Sequence, residues 1–146
     1  MSVDKMNINF EENVREITLN GDENRKIKFS PSDYAIVERF NTAQEHFKTI
    51  SKEMSDIKIS EDNSLEDMSN LIKIGNEKLK AEVDYIFGYP ISNVVFENQS
   101  PLTFIKGRTL FEIFIESAMK YVVETIKEEQ EKSKEKVSKY TKRYHK

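Results

Sequence analysis

The sequence predicts an α+β fold that is mostly helical, with a small N-terminal antiparallel strand meander, a helical bundle and a charged C-terminal helical tail. Apolar residues alternate with polar ones through residues 6–29, which is typical of half-buried strands. From residue 31 they recur every three or four residues, which is typical of amphipathic helices. After about residue 128 charged residues replace the apolar ones almost entirely.

Length and composition indicate one domain over residues 1–128, with helices over about residues 31–126, and a charged, mobile tail over residues 129–146. A chain of 146 residues can bury a core, and 37% hydrophobic with 34% charged residues suits helices with wide solvated faces. The absence of cysteine excludes a disulfide framework and thiolate chemistry. The start lacks the apolar core of a secretion signal, and charges interrupt the most apolar run, so we expect a cytoplasmic protein without a membrane span.

Three short strands are predicted before residue 30. Their alternating apolar residues are Met6, Ile8 and Phe10, then Ile17 and Leu19, then Ile27 and Phe29. Asn20-Gly21 is a strong signal for a turn between the second and third strands, so a meander is the simplest topology. Side-chain oxygens after Asn20 are spaced like the start of a calcium loop, but Arg25 stands where that loop needs glycine. We therefore predict a polar hairpin and no metal site.

Helix start and stop signals define the first two helices. Ser30-Pro31-Ser32-Asp33 predicts the start of the first, because serine can cap a helix and proline suits its first turn. The predicted core seam of this helix is Ile36, Phe40, Ala43, Phe47, Ile50, Met54 and Ile57. After a loop at residues 61–64, Ser64 is expected to cap a second helix that ends at Gly88.

A packed corner is predicted at residues 81–96, AEVDYIFGYPISNVVF. Gly88 ends the second helix, Pro90 prevents its immediate resumption, and a short turn can begin at Ser92 or Asn93. The apolar residues expected to pack there are Ile86, Phe87, Val94, Val95 and Phe96. The stretch carries no catalytic group, so we interpret it as part of the core.

The helix predicted over residues 109–126 carries the widest apolar surface, and Thr109 with Glu112 fits a capping box at its start. Its stripe comprises Phe111, Phe114, Ile115, Ala118, Met119, Val122 and Ile126, and Leu110, Ile113, Tyr121 and Val123 widen it. A stripe this wide contacts more than one neighbour, so the helix is either the centre of the bundle or partly a partner surface. For the partner surface, the predicted contact residues are Phe111, Phe114, Ile115, Met119 and Val122.

The tail is rich in glutamate and lysine. Opposite-charge pairs such as Glu131 with Lys134 can continue the helix, but the segment has little to bury, so we expect it to be mobile. Its end is basic and carries two tyrosines one helical turn apart. Either it remains a solvated tail or it docks on an acidic partner or nucleic acid. The predicted docking residues are Lys139, Tyr140, Arg143 and Tyr144.

No residue constellation in the sequence selects an active site. His46 lies beside the seam of the first helix and His145 lies near the terminus, and neither has a predictable Ser or Cys partner. The glycine motifs that cradle phosphates and the elbow motif of serine hydrolases are absent. We therefore expect no enzymatic activity, no catalytic residues and no cofactor, with an unrecognised hydrolase kept only as a rival interpretation.

The run DYIFGYPISNVVF, residues 84–96, resembles a segment of small tail assembly chaperones of long-tailed phages and prophages of Gram-positive bacteria. In that segment an acidic residue, an aromatic residue and a glycine precede a small-residue turn and a hydrophobic pair ending in phenylalanine. The flanks agree, with an FSPSD helix entry at residues 29–33 and a lysine-rich tail after an amphipathic helix. The resemblance covers most of the chain, and its motifs are packing motifs.

The resemblance implies a non-enzymatic chaperone that binds the tape-measure protein, keeps it soluble and helps to recruit tail-tube subunits. It implies a place in the cytoplasm of the host cell and absence from the mature particle, and it leaves self-association open. Some such families also make a longer form by ribosomal frameshifting. A nucleic-acid-binding regulator that uses the basic end is a rival, although the acidic chain argues against nucleic acid. A structural tail component is another.

Overall fold

The computed structural model describes residues 3–10, 13–55 and 64–144, with side chains described up to residue 53 in the first helix and residue 137 in the last. The elements in chain order are β1 (Arg15–Leu19), β2 (Asp22–Phe29), α1 (Ala35–Ser55), α2 (Leu65–Phe87), α3 (Ser92–Phe96), β3 (Phe104–Ile105), β4 (Arg108–Thr109) and α4 (Leu110–Tyr144). The predicted α+β, mostly helical fold is confirmed. Among the described helices, none is long and apolar enough to cross a membrane.

β1 and β2 form an antiparallel hairpin with Ile17 opposite Ile27. The predicted turn between them is confirmed. Asn20 and Gly21 have φ angles of 54° and 70°, in the left-handed region that tight hairpin turns require and that Asn and Gly tolerate best. The hairpin is stable because one of its faces is covered: Ile27 and Phe29 are buried in the core.

The strand predicted at residues 6–10 is wrong. This segment forms no strand, and the side chains of Met6, Ile8 and Phe10 are 94%, 77% and 84% exposed. Alternation gives a segment an apolar face, but a strand also needs a neighbour with which to exchange backbone hydrogen bonds. Within the described residues β1 pairs with β2 alone, so the sheet is a two-stranded hairpin and not a meander.

The first helix begins at Ala35 and not at the predicted Pro31, which lies buried in a turn. The carboxylate of Asp33 accepts a hydrogen bond from the Ala35 N–H at 3.1 Å, so Asp33 and not Ser30 satisfies a donor at this helix end. The predicted seam is confirmed where side chains are described, with Ile36, Phe40, Ala43 and Ile50 buried and Phe47 half-buried. Three predicted features lie outside the described part: the side chain of Met54, the residue Ile57, and the loop before Ser64.

Both predicted ends of the second helix are confirmed. The Ser64 hydroxyl accepts from the Asp67 N–H at 3.2 Å, and Gly88 closes α2 with φ 78° while its N–H donates to the Asp84 carbonyl at 2.9 Å. The chain then enters the predicted short helix, α3. The corner packs as expected, with Ile86, Phe87, Val95 and Phe96 buried and Val94 half-buried.

Polar groups also connect the parts of the corner. The Asp84 carboxylate accepts from the backbone N–H groups of Ile91 and Ser92 at 2.7 and 2.8 Å, and from the Ser92 hydroxyl at 3.2 Å. It therefore satisfies donors at the start of α3 across the Gly88 turn. At the other end of α3, Arg25 of β2 donates to the carbonyls of Val94 and Val95 at 3.1 and 2.8 Å, which ties the hairpin to the corner.

The second strand pair, β3 with β4, was not predicted from sequence. Its turn uses Lys106 and Gly107, both with positive φ, so it is a hairpin of the same kind as the first. It leads directly into α4, where the Thr109 hydroxyl accepts from the Glu112 N–H at 3.1 Å. That bond is one half of the predicted capping box.

Much of the wide stripe of α4 is buried in the core, which agrees with one of its two interpretations. The buried apolar residues come from β2, from all four helices and from the residue before α3: Ile27, Phe29, Ile36, Phe40, Ala43, Ile50, Leu79, Val83, Ile86, Phe87, Ile91, Val95, Phe96, Phe111, Phe114, Ile115, Ala118, Val122 and Ile126. Within this core the rings of Phe40, Phe87, Phe114 and Phe96 follow one another at centroid distances of 6.0, 6.0 and 6.3 Å. The corner and α4 therefore share one aromatic cluster.

α4 continues without a break past residue 128, and Ile126 is the last buried residue among its described side chains, which reach residue 137. Glu129 forms an ion pair with Arg15 of β1 at 2.9 Å. The Arg15 guanidinium and Asn13 hold the pKa of the Glu129 carboxyl below its ordinary value, so this contact is present at neutral pH and is lost as the pH falls through that lowered pKa. The predicted pair of Glu131 with Lys134 is present at 3.9 Å. Residues 130–137 are exposed, and mobility of the tail stays a prediction.

Candidate functional site

The predicted contact residues on α4 do not form an exposed surface. Phe111, Phe114, Ile115 and Val122 are between 0% and 9% exposed, because the stripe to which they belong faces the other elements of the core. Met119 is half-buried and accepts a weak hydrogen bond at its sulfur from Gln44 of α1, at 3.8 Å. A partner could reach these residues only where the surface opens between α4 and its neighbours.

One such opening lies between α1 and α4. This α1–α4 groove has a volume of about 420 Å³ and is lined by Ala43, Gln44, Phe47 and Lys48 of α1 and by Phe111, Glu112, Ile115 and Glu116 of α4. It therefore includes two of the predicted contact residues, Phe111 and Ile115. The contribution of α1 to this groove was not predicted from sequence, because the seam of that helix was assigned entirely to the core.

The floor of the α1–α4 groove is apolar and partly aromatic. The half-buried ring of Phe47 packs against the ring of Phe111 at a centroid distance of 4.9 Å. Ile115 and Ala43 are nearly inaccessible themselves, at 5% and 1% exposure, and complete the floor. An apolar depression of this kind favours binding of apolar side chains.

The rim of the α1–α4 groove is polar and carries both signs of charge. Gln44 and Lys48 are exposed on the α1 wall, and Glu112 and Glu116 stand on the α4 wall. Glu116 also forms an ion pair with Arg108 of β4, so the small β3–β4 hairpin contacts this wall. An apolar floor within a polar rim is the usual anatomy of a protein-binding site.

His46 forms a second polar cluster on the opposite side of α1. Its Nδ1 lies 2.8 Å from Oε1 of Glu82, at a cleft that Thr49 also lines. The Thr49 hydroxyl donates to the Glu45 carbonyl and not to the imidazole, so the pair has no activated hydroxyl beside it. His145 lies outside the described residues. In the described ranges, no group of three or more His, Cys, Asp or Glu side chains is arranged to hold a metal ion.

The docking residues predicted in the tail are placed only by their backbone. Lys139, Tyr140, Arg143 and Tyr144 lie in the last turns of α4, and their side chains are outside the described part of the structure. At 1.5 Å per residue, the 18 residues of α4 after Ile126 extend for about 27 Å. A docking role for this end stays a prediction.

Comparisons of the chain with protein-family models, with curated proteins and with solved structures found no match.

Proposed function

We propose that the chain is a non-enzymatic tail assembly chaperone that binds the tape-measure protein of a long-tailed phage. In this role it keeps the tape-measure protein soluble in the host cytoplasm, helps to recruit tail-tube subunits and is absent from the finished particle. The resemblance of residues 84–96 to such chaperones supports the proposal. The structural observation that carries it is the apolar α1–α4 groove with its polar rim.

The groove suits a helical client. The resemblance implies a tape-measure protein that is long and rich in helix, and a helix that exposes an apolar stripe is stabilised in water by a partner with an apolar groove. Such a client would insert its apolar side chains over Phe47 and Ile115. Its own charges would meet Lys48 on one wall and Glu112 on the other, which sets the orientation of the client more than its affinity.

Co-expression with the tape-measure protein, followed by pull-down at low and high salt, tests the proposal. Because the contact is mainly apolar, we expect the complex to survive about 1 M salt, where the Debye length is only about 3 Å. Complete dissociation at high salt would contradict the groove and point to the basic end of α4 instead. A complex with nucleic acid but not with the tape-measure protein would favour the regulator.

A matched pair of variants locates the contact. Gln44→Asp places a charge at the mouth of the groove, and Gln130→Asp makes the same change on an exposed part of α4 outside it. We expect Gln44→Asp to reduce the recovered tape-measure protein about tenfold, which corresponds to about 1.4 kcal/mol. We expect Gln130→Asp to leave recovery unchanged, with melting temperatures confirming that both variants fold. Equal recovery for the two variants would remove the groove from the proposal.

A further inference from the structure

The segment at residues 6–10 has the alternating sequence of a β-strand and no strand partner among the described residues. Met6, Ile8 and Phe10 occupy alternate positions and are 94%, 77% and 84% exposed. The side chains of Asn7 and Asn9, which lie between them, are hydrogen-bonded to each other at 2.9 Å. Residues two apart lie on the same side of an extended chain, so one face of this segment is apolar and the other polar.

The outer edge of β1 in the β1–β2 hairpin has backbone N–H and C=O groups that could pair with such a strand. The Lys28 N–H donates to the Tyr89 hydroxyl at 2.6 Å, so it points away from β1. Glu16 lies opposite Lys28, so in an antiparallel ladder the backbone N–H and C=O of Glu16 point away from β2. The orientation repeats every second residue, so the backbone groups of Thr18 also point away from β2. Among the described residues, no backbone hydrogen bond joins this outer edge of β1 to another element. An unpaired edge of this kind is a template for another strand.

Hollows in the surface follow the same strand. One of about 310 Å³ lies between Ile17 and Leu19 of β1 and Ile113 and Tyr121 of α4. A smaller one of about 180 Å³, beside Arg15 and Thr125, shares Ile17 and Tyr121 with it. Tyr121 itself is 60% exposed. A third strand on the edge of β1 would place apolar side chains at alternate positions over these hollows and cover Tyr121.

We propose that residues 6–10 of a second copy of this chain pair with the outer edge of β1, and that two chains exchange these segments to form a symmetric dimer. A chain's own segment is separated from β1 by only residues 11–14, yet in the single chain it stays exposed. A second copy presents the same apolar segment and the same open edge. Reciprocal exchange satisfies both edges in one closed, two-fold assembly. The inference does not depend on the proposed function and uses a different surface from the α1–α4 groove.

The test compares Ile8→Asp with Asn9→Asp by sedimentation over a wide range of protein concentration. Both variants add one charge to the same exposed segment, so neither endangers the fold, but only the first changes the apolar face. We expect the unmodified chain and Asn9→Asp to dimerise with similar affinity, and Ile8→Asp to dimerise at least about tenfold more weakly. A chain that stays monomeric at all concentrations, or a dimer that tolerates Ile8→Asp, would overturn the inference.

Amide hydrogen exchange separates exchange between copies from closure within one chain. We expect the amides of residues 6–10 to exchange rapidly in the dilute monomer and to become protected as the dimer forms. Protection of these amides in the dilute monomer would show that the segment pairs with its own β1 and would refute the second copy as occupant. No tape-measure protein is present in either experiment, so their outcome is independent of client binding.

Discussion

At the scale of single residues, the phenylalanines show how burial decides the effect of one substitution. Phe87 and Phe96 are 7% and 2% exposed in the aromatic cluster, and Phe104 in the β3–β4 hairpin is 70% exposed. We expect Phe87→Ala and Phe96→Ala each to lower the free energy of unfolding by about 3–5 kcal/mol, as large-to-small core changes do. Denaturant titration measures this, with Phe104→Ala as the exposed control. Losses below about 1 kcal/mol at both buried sites would contradict the packed corner.

A second prediction at this scale concerns Asp84, whose carboxylate accepts three hydrogen bonds from Ile91 and Ser92. Asp84→Ala leaves those donors without their acceptor, and we expect it to lower the free energy of unfolding by about 2–3 kcal/mol. Asp84→Asn keeps a side-chain oxygen at the same place and should cost less. Equal stability of Asp84→Ala and the unmodified chain in urea titrations would show that water replaces the carboxylate at no cost.

At the scale of elements, Gly88 determines where α2 ends. Its φ of 78° is in the left-handed region, which residues with a Cβ rarely adopt. A Cβ at this position would have no atom within 4 Å, so a side chain would cause backbone strain but no steric clash. We therefore expect Gly88→Ala to lower the free energy of unfolding by about 1–2 kcal/mol. Gly88→Asn should cost less, since asparagine tolerates this conformation better. Thermal unfolding of both variants checks the order, and a smaller effect for Ala than for Asn would contradict this account.

Most elements with local signals were predictable from sequence, although the Ser30-Pro31 signal placed the start of α1 four residues too early, and elements that depend on a neighbour were not predictable. Ser64, Gly88 and the Asn20-Gly21 turn set their own backbone geometry, so both ends of α2 and the first hairpin were found. The strand at residues 6–10 was predicted from alternation, which indicates a face but not a partner. The strands β3 and β4 have two residues each, which is too short for any period to show.

The candidate site was predictable only in part, for a related reason. A single sequence identifies the apolar stripe of α4, but which of its residues remain open depends on how closely α1 approaches. Phe111 and Ile115 line the groove while Val122, on the same stripe, is 0% exposed. Phe47 was assigned to the seam of α1, and its half-buried position at the groove follows from the packing of two helices distant in sequence.

At the scale of the whole molecule, the domain should fold without the end of α4. Deleting the residues after Glu129 removes exposed side chains over residues 130–137 and keeps both Ile126 and the Arg15–Glu129 ion pair. We expect the melting temperature to fall by less than about 4 °C, which corresponds to about 1 kcal/mol for a domain of this size. A larger fall would mean that the deleted end packs on the core.

The same deletion tests the predicted docking role of Lys139, Tyr140, Arg143 and Tyr144. If these residues reach a second partner such as a tail-tube subunit, tail formation should fail while the tape-measure protein remains soluble. Unchanged tail formation would contradict docking and leave a solvated tail.

The central claim is that the α1–α4 groove holds the tape-measure protein, and site-specific photo-crosslinking tests it most directly. A photoreactive residue is placed at Gln44 in the groove, or at Gln130 as the matched exposed position outside it, and each chain is co-expressed with the tape-measure protein. We predict a covalent adduct with the tape-measure protein from position 44 and none from position 130. An adduct from position 130 and none from position 44 would contradict the claim and place the client on the far end of α4.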